Sequence, residues 1–485
     1  MPFLTNFPIN IEKTRLLRLL LGWADSFNTY CFLNANDFAN GWAIGCSLAC
    51  GVEQEISYTT DSLSALDVFH KKQSGRIYGF LSYDLKNELE ELTARDSQQF
   101  CFPRLYFFLP QYQIHITGDE LSIETRIEIN KDNLPDALKR LFLLLAGDEI
   151  EVNSTHPAPS AGVTESSVAG ATESSLAGAA SANDNSVASA AVTDAVNVDS
   201  LVHGQPELQF RESRNTYLKK AAEIYQHIKA GDIYELNFCQ EFFIKGLQLD
   251  SKDLYERLNE ASPAPFSLSF KYRGSYILSS SMERFLKREG SRLKAQPIKG
   301  TSKRGLNALE DALLSETLRT NEKERAENIM IVDLVRNDLA KVSVPGTVSV
   351  DELAVAYPFA QVHQLISTIS AEIKKDITTG PVIQALFPMG SMTGAPKLKA
   401  MQLIDRYEAV PRGLYSGLAG YIDPNGDFDF SVLIRTILYD PKEKYLSFHT
   451  GSALTSLSDH EEEYKECLLK ASGMIRALKI PSIVT

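Results

Sequence analysis

The residue with the clearest chemical potential is Lys299, which follows a short apolar segment. Residues 293–298 predict a strand that turns at Gly300. A lysine at such a turn is ordinarily a solvated cation. It becomes a nucleophile when burial or a neighbouring cation lowers its pKa from about 10.4. Lys303 and Arg304 follow closely and could supply that cationic neighbourhood.

Glu283 is a second candidate for catalysis, because it stands just past the predicted strand 276–281. A half-buried glutamate has a raised pKa and can act as a general acid. A salt bridge with the adjacent Arg284 would instead give it a purely structural role. The sequence leaves both interpretations open.

Two glutamates on separate predicted helices have the chemistry of magnesium ligands. Glu327 shares an apolar helix face with Ile331 and Leu334. An ionised carboxylate there needs a cation, which could be a basic side chain or Mg²⁺. Glu466 lies inside the helix predicted over 461–478, where the effect of the N-terminal helix dipole weakens. It is either a solvated glutamate or a second metal ligand.

Three segments have the composition of anion-binding sites. The glycine-rich turn 390–397 is either a plain helix-capping turn or a cradle of backbone N–H groups, to which Thr393 adds a hydroxyl. Arg435 alternates with apolar residues in the predicted strand 430–439, and its planar guanidinium suits a carboxylate. Gly451 lies in a predicted small turn with further N–H donors. Together these sites predict a substrate with carboxylates at opposite ends.

Composition narrows the class of protein. The chain has 485 residues, of which 44% are hydrophobic and 23% are charged, as in ordinary soluble globular proteins. The formal net charge of −13 argues against general binding to nucleic acid or to an anionic membrane. Six dispersed cysteines and the absence of a long apolar N-terminal run predict a reduced, cytoplasmic protein without a membrane span.

The pattern of strands and helices divides the chain into three parts. Residues 1–150 mix short helices and strands. Residues 151–206 are rich in Ala, Ser and Thr, and we expect a flexible insertion without a catalytic part. Residues 207–480 alternate hairpin-like strands with grouped helices. This order favours an α+β fold built on antiparallel sheets.

The order of these signals resembles the chorismate-utilising enzymes, which include anthranilate synthase, aminodeoxychorismate synthase component I and isochorismate synthase. The resemblance covers residues 217–475 and is weaker before them, where it rests on 78–85. The matching segments are 231–237, 282–285, 297–301, 326–334, 390–397, 434–436 and 463–466. It implies the anthranilate synthase component I-like fold, in which two packed antiparallel β-sheets are surrounded by helices, with 207–480 as the chorismate-binding core.

The lysine in Pro-Ile-Lys-Gly-Thr resembles the aminodeoxychorismate synthase component I branch. The resemblance implies that Lys299 attacks C2 of chorismate while Glu283 assists the departure of the C4 hydroxyl. Ammonia then adds at C4, expels the lysine and gives 4-amino-4-deoxychorismate, a precursor of p-aminobenzoate and folate. Glu327 and Glu466 are implied to hold Mg²⁺ against the ring carboxylate.

The same resemblance implies that Thr393, Arg435, Gly451 and Gln364 contact the substrate. Gln364 stands where other members often carry a histidine. No cysteine stands in a Gly-x-Cys-x-Gly arrangement, so we expect ammonia from a separate glutamine amidotransferase subunit. Anthranilate synthase, which also eliminates pyruvate, is the alternative enzyme. A family member that binds chorismate or a partner without turnover is the alternative outside catalysis.

Overall fold

The structure is a computed structural model. It describes residues 3–8, 12–36, 38, 45–58, 60–90, 92, 100–118, 120–125, 136, 139, 141, 143, 207–360 and 362–479. The insertion predicted over 151–206 lies outside these residues. The described helices are α1 Lys13–Ala24, α2 Ser62–His70, α3 Lys86–Leu89, α4 Arg214–Lys229, α5 Ser251–Ala261, α6 Ala308–Thr320, α7 Glu322–Val342, α8 Thr379–Leu386, α9 Lys397–Tyr407 and α10 His460–Ala477. None of the helices in these ranges has the length and apolar character that a membrane crossing requires.

The described strands pair in antiparallel fashion. They are β1 Phe3–Pro8, β2 Thr29–Asn34, β3 Cys46–Tyr58, β4 Ile77–Leu81, β5 Leu105–Thr117, β6 Glu120–Thr125, β7 Gln209–Phe210, β8 Glu235–Lys245, β9 Phe266–Tyr272, β10 Ser275–Ser281, β11 Arg284–Glu289, β12 Arg292–Gln296, β13 Ile298–Lys303, β14 Ser349–Pro358, β15 Val362–Glu372, β16 Gly394–Ala395, β17 Leu418–Ile422, β18 Phe428–Val432, β19 Thr436–Asp440 and β20 Tyr445–Thr455.

Two layers of strands pack face to face around an aromatic core. Phe80 of β4 and Tyr106 of β5 meet Phe270 of β9, with ring centroids 5.4 and 6.2 Å away. The opposite faces of β4 and β5, which carry Leu81 and Phe107, share a second core with α7 and α8. The predicted α+β class with packed antiparallel sheets is confirmed, and hydrogen bonds continue from one layer into the other.

Two predicted elements near the end of the chain are wrong. The strand predicted over 430–439 is two strands, β18 and β19, with Arg435 between them at φ 52°. The chain exchanges partners there, because β18 pairs with β11 and β17 whereas β19 pairs with β10 and β20. The turn predicted at Gly451 lies inside β20, which pairs with β8 over its whole length. Alternating apolar residues do not reveal such a change of partner.

Helix caps fix the two helices that carry the candidate metal ligands. The side chain of Asn321 accepts a hydrogen bond from the backbone N–H of Glu324 at 3.0 Å, which begins α7. Asp459 accepts hydrogen bonds from the first N–H groups of α10. Helix α10 packs on β20, and α7 packs on β13 and β15. These contacts place one face of each helix at the same end of the sheet.

Candidate active site

A single cavity collects most of the chemically active residues predicted from the sequence. It holds about 850 Å³ of empty space, part of which is open to solvent. Strands β8, β13, β15 and β20 and helices α7 and α10 form its walls. Its ionisable carboxylate and cationic side chains are Glu283, Lys299, Lys323, Glu324, Glu327, Arg435, Glu463, Glu466 and Lys470. The size suits a small molecule, and the mixture of charges suits an anionic one that arrives with a cation.

Lys299 is buried and forms an ion pair with the fully buried carboxylate of Glu235. Burial alone would lower the pKa of Lys299, but Glu235, Glu327 and the more distant Glu466 outweigh it and raise the pKa above its ordinary value. The lowered pKa that would make Lys299 a nucleophile is therefore not found in this arrangement of side chains. The expected cationic neighbourhood is also wrong, since Arg304 forms an ion pair with Asp311 instead.

Glu283 lies between β10 and β11 with its side chain 3% exposed. Burial raises its pKa to about 7, although a hydrogen bond from Ser391 and the charge of Lys299 act in the opposite direction. The Ser391 hydroxyl donates to Glu283 Oε1 at 2.6 Å. Arg284 does not pair with Glu283, because it donates to Asp429 at 2.9 and 3.0 Å. The structure thus favours the general-acid interpretation over the salt bridge.

Glu327 faces the cavity from α7, and its Oε1 is buried without a hydrogen-bond partner among the described residues. Burial raises its pKa to about 8, while Lys299 acts to lower it and Glu235 acts to raise it. The nearest cation is Lys323, whose Nζ is 3.9 Å from that oxygen. A buried carboxylate oxygen without a partner fits a hard divalent cation, which would supply the missing positive charge.

Glu466 lines the same cavity from α10 and forms an ion pair with Lys470, one turn later, at 2.7 Å. The charge of Lys470 lowers the pKa of Glu466, so its carboxylate is ionised at neutral pH. Within the described ranges, no group of three or more His, Cys, Asp and Glu side chains has the arrangement of a metal site. A metal held by Glu327 and Glu466 would therefore take its remaining ligands from water or substrate.

The expected substrate-binding residues fall into two groups. Arg435, Gln364 and Gly451 line the cavity. Thr393 is not part of the lining: it is fully buried, and its hydroxyl donates to the carbonyl of Met389 at 3.0 Å. That hydrogen bond occupies the donor that was expected to contact an anion. The part that Thr393 plays in substrate binding stays a prediction.

Arg435 occupies the break between β18 and β19, and it is half-buried there. Its Nη1 donates to the backbone carbonyl of Lys470 at 2.6 Å, and burial lowers the pKa of the guanidinium. No carboxylate of the described residues lies within ion-pair distance of it. Gln364 on β15 accepts a hydrogen bond from Thr301 at 3.0 Å. Arg435 is thus a half-buried cation at the cavity wall that can receive a carboxylate from a ligand.

Several residues that line the cavity or contact its lining were missed from the sequence. Glu235 begins β8 as a buried charge before an apolar run, which is a signal that could have been noticed within 231–237. Ser391 lies in the glycine-rich turn, and Lys323 and Lys470 lie on the two helices. Their roles depend on distances across the cavity. Neither spacing nor residue type encodes those distances.

Comparisons with known proteins agree with this geometry. The family described as chorismate binding enzyme matches residues 30–476. The chain is 42% identical to an aminodeoxychorismate synthase of Streptomyces griseus over 274 residues, which are 56% of this chain and 37% of that protein. It is 36% identical to the aminodeoxychorismate synthase component 1 of Escherichia coli strain K12 over 271 residues, which are 56% of this chain and 59% of that protein. The chain thus spans about 37% and 59% of the length of these relatives.

The fold has counterparts among solved structures. Anthranilate synthase component I of Streptococcus pneumoniae superimposes with a TM-score of 0.67 and 21% identity. The match covers 88% of this chain and 91% of that one. At this level of identity the comparison supports the anthranilate synthase component I-like fold and nothing finer.

Proposed function

The chain belongs to the family of chorismate-binding enzymes, and from that premise we propose that it aminates chorismate to 4-amino-4-deoxychorismate. The observation that carries the proposal is the buried ion pair of Lys299 with Glu235, in a cavity that Glu283 and Glu327 also line. A relative with 42% identity is named an aminodeoxychorismate synthase, which supports the same reaction.

Lys299 is the proposed nucleophile. The raised pKa makes it an ammonium ion at neutral pH, so it must release a proton before it can attack. Glu235 is in hydrogen-bond contact with Nζ and has a second carboxylate oxygen without a partner among the described residues. The proton therefore has an acceptor in direct contact with Lys299. The amine then forms a bond to C2 of the ring while the bond from C4 to its hydroxyl oxygen breaks.

Glu283 is the proposed acid for the departing hydroxyl. With a pKa of about 7, a substantial fraction is protonated at neutral pH and can donate a proton so that water leaves. Ser391 fixes the orientation of the carboxyl group through its hydrogen bond. In the second half of the reaction, ammonia forms a bond to C4 and passes one proton back to Glu283, while the bond from Lys299 to C2 breaks. The released amine then recovers its proton from Glu235.

A magnesium ion is part of the proposal. Glu327 and Glu466 would hold it, since one has an unpartnered buried oxygen and the other is ionised at the same cavity. When bound, the ion neutralises the ring carboxylate of the substrate. Arg435 and Gly451 would receive the second carboxylate, and Gln364 would contact the substrate from β15.

We propose that ammonia comes from a separate glutamine amidotransferase subunit in the cytoplasm. The name component 1, which the Escherichia coli relative carries, supports a partner component. All six cysteines are free thiols, as expected in a reducing compartment. The product would feed the synthesis of p-aminobenzoate and folate.

Product analysis tests the proposal. The protein is incubated with chorismate, MgCl₂ and an ammonium salt, and the products are identified by mass spectrometry and fluorescence. We expect a product in which an amino group replaces the C4 hydroxyl and the enolpyruvyl group is retained, and Lys299→Ala should abolish it. Anthranilate fluorescence with release of pyruvate would favour the alternative enzyme. Full turnover by Lys299→Ala would refute the covalent route.

A further inference from the structure

Lys470 connects the candidate metal site to the candidate anion site. It lies on α10 one turn after Glu466, and its Nζ is 2.7 Å from Glu466 Oε1. The same ammonium donates to the backbone carbonyl of Gly451 on β20 at 3.0 Å. Lys470 lines the cavity with about a quarter of its side chain exposed. One cation therefore bridges the helix and the strand at the edge of the cavity.

The position of Lys470 brings it into competition with a divalent cation. A metal ion on Glu466 would stand within a few ångströms of the ammonium, and two positive charges at that distance repel each other. Glu327 has a longer ion pair, with Lys323 Nζ at 3.9 Å, and the charge of Lys299 also acts on it. Of the two expected metal ligands, Glu466 thus has the closer ion pair with a side chain of the protein.

An ammonium that leaves Glu466 has a second place to bind. Its hydrogen bond to Gly451 keeps it at the strand where a substrate carboxylate is expected. Arg435 donates to the carbonyl of Lys470 itself at 2.6 Å, so the backbone of the lysine is fixed beside the guanidinium. Lys470 and Arg435 can therefore act on the same carboxylate.

We propose that Lys470 exchanges partners during the binding of substrate and metal. It holds Glu466 in the metal-free enzyme, and it turns to a substrate carboxylate when a divalent cation takes Glu466. This inference rests on the proposed function, because it assumes that the cavity binds chorismate with a metal ion. The exchange makes the two ligands cooperative: bound metal strengthens substrate binding, and bound substrate strengthens metal binding by the same factor.

Binding of Mn²⁺, which prefers similar oxygen ligands, tests the inference through the electron paramagnetic resonance signal of the free ion. Without chorismate, Lys470→Met should bind Mn²⁺ about tenfold more tightly than the unmodified protein, because the competing charge is gone. With saturating Mn²⁺ and no ammonium salt, the same variant should bind chorismate about tenfold more weakly by calorimetry. Lys465→Met is the matched control, since Lys465 lies on the same helix and pairs with the exposed Glu462.

A second variant separates this role from damage to the fold. Lys470→Arg keeps the charge and should resemble the unmodified protein in both measurements, with an unchanged thermal unfolding temperature. Equal Mn²⁺ affinity in Lys470→Met and Lys465→Met would overturn the inference, as would unchanged chorismate affinity in Lys470→Met. Neither result would contradict the proposed amination of chorismate. An anthranilate product would instead refute the proposed amination, and it would not contradict the exchange of partners by Lys470.

Discussion

The role of Glu283 leads to a prediction that combines a substitution with a pH profile. Glu283→Gln keeps the shape of the side chain and an oxygen that can accept the hydrogen bond of Ser391, so the fold should be retained. It removes the acidic proton. General acid catalysis is worth about 10²- to 10⁴-fold, and we expect kcat for chorismate consumption to fall within that range.

The pKa of Glu283 sets the pH dependence of the unmodified enzyme. With a pKa of about 7, the protonated fraction is about nine-tenths at pH 6 and about one-tenth at pH 8. Activity that needs the protonated form should therefore decline as the pH rises through about 7. Ser391 stabilises the ionised form, so Ser391→Ala should raise the pKa and move the decline to higher pH.

The assay follows loss of chorismate by absorbance at a constant concentration of free ammonia, so that the titration of ammonium does not enter the profile. In Glu283→Gln, kcat should be low at every pH, and it should no longer decline as the pH rises through about 7. Two results would refute the reasoning. One is a Glu283→Gln variant with more than about a tenth of the original rate. The other is a decline that stays at the same pH in Ser391→Ala.

Three further predictions concern the metal, the strand and the core. Glu327→Gln should weaken Mg²⁺ binding about tenfold or more by calorimetry, whereas the exposed Glu322→Gln on the same helix should not. Gly451→Ala should lower kcat/KM at least about tenfold and destabilise the protein by about 1–3 kcal/mol in urea unfolding, because a Cβ there would lie 2.4 Å from Cys239 Sγ. Unchanged kinetics would exclude the close pairing of β20 with β8 at this point. Arg412→Met should cost about 3–5 kcal/mol in urea unfolding, since it removes the guanidinium that lies 2.6 Å from the buried carboxylate of Glu408. The double variant with Glu408→Leu should recover much of that loss, and no recovery would refute the argument from this buried ion pair.

The residue types of the site and the raised pKa of Glu283 could be predicted from the sequence, but the raised pKa of Lys299 could not. Lys299, Glu283, Glu327 and Glu466 were recognised from motifs, and all four line one cavity. The sequence offered burial and nearby cations, which would lower the pKa of Lys299. The pKa is raised instead, because a strand 64 residues earlier brings Glu235 into contact with the lysine. Local sequence carries no record of such a contact.

The elements that carry the site were predictable where their periodicity is local. Helix α10 agrees within one residue at each end with the helix predicted over 461–478. The break at Arg435 and the continuation of β20 through Gly451 were missed, because both depend on which strand lies alongside. The pairing of β20 with β8 turns an apparent loop glycine into a strand residue that another side chain could not replace without displacing Cys239.

Peptide mass spectrometry tests the covalent role of Lys299 most directly. The protein is mixed with chorismate and MgCl₂ in the absence of ammonia, quenched and digested. The account predicts a ring-derived adduct on the peptide that contains Lys299, its disappearance after ammonium is added, and its absence in Lys299→Ala. An enzyme that turns over chorismate with ammonia and never carries an adduct on Lys299 would contradict the account.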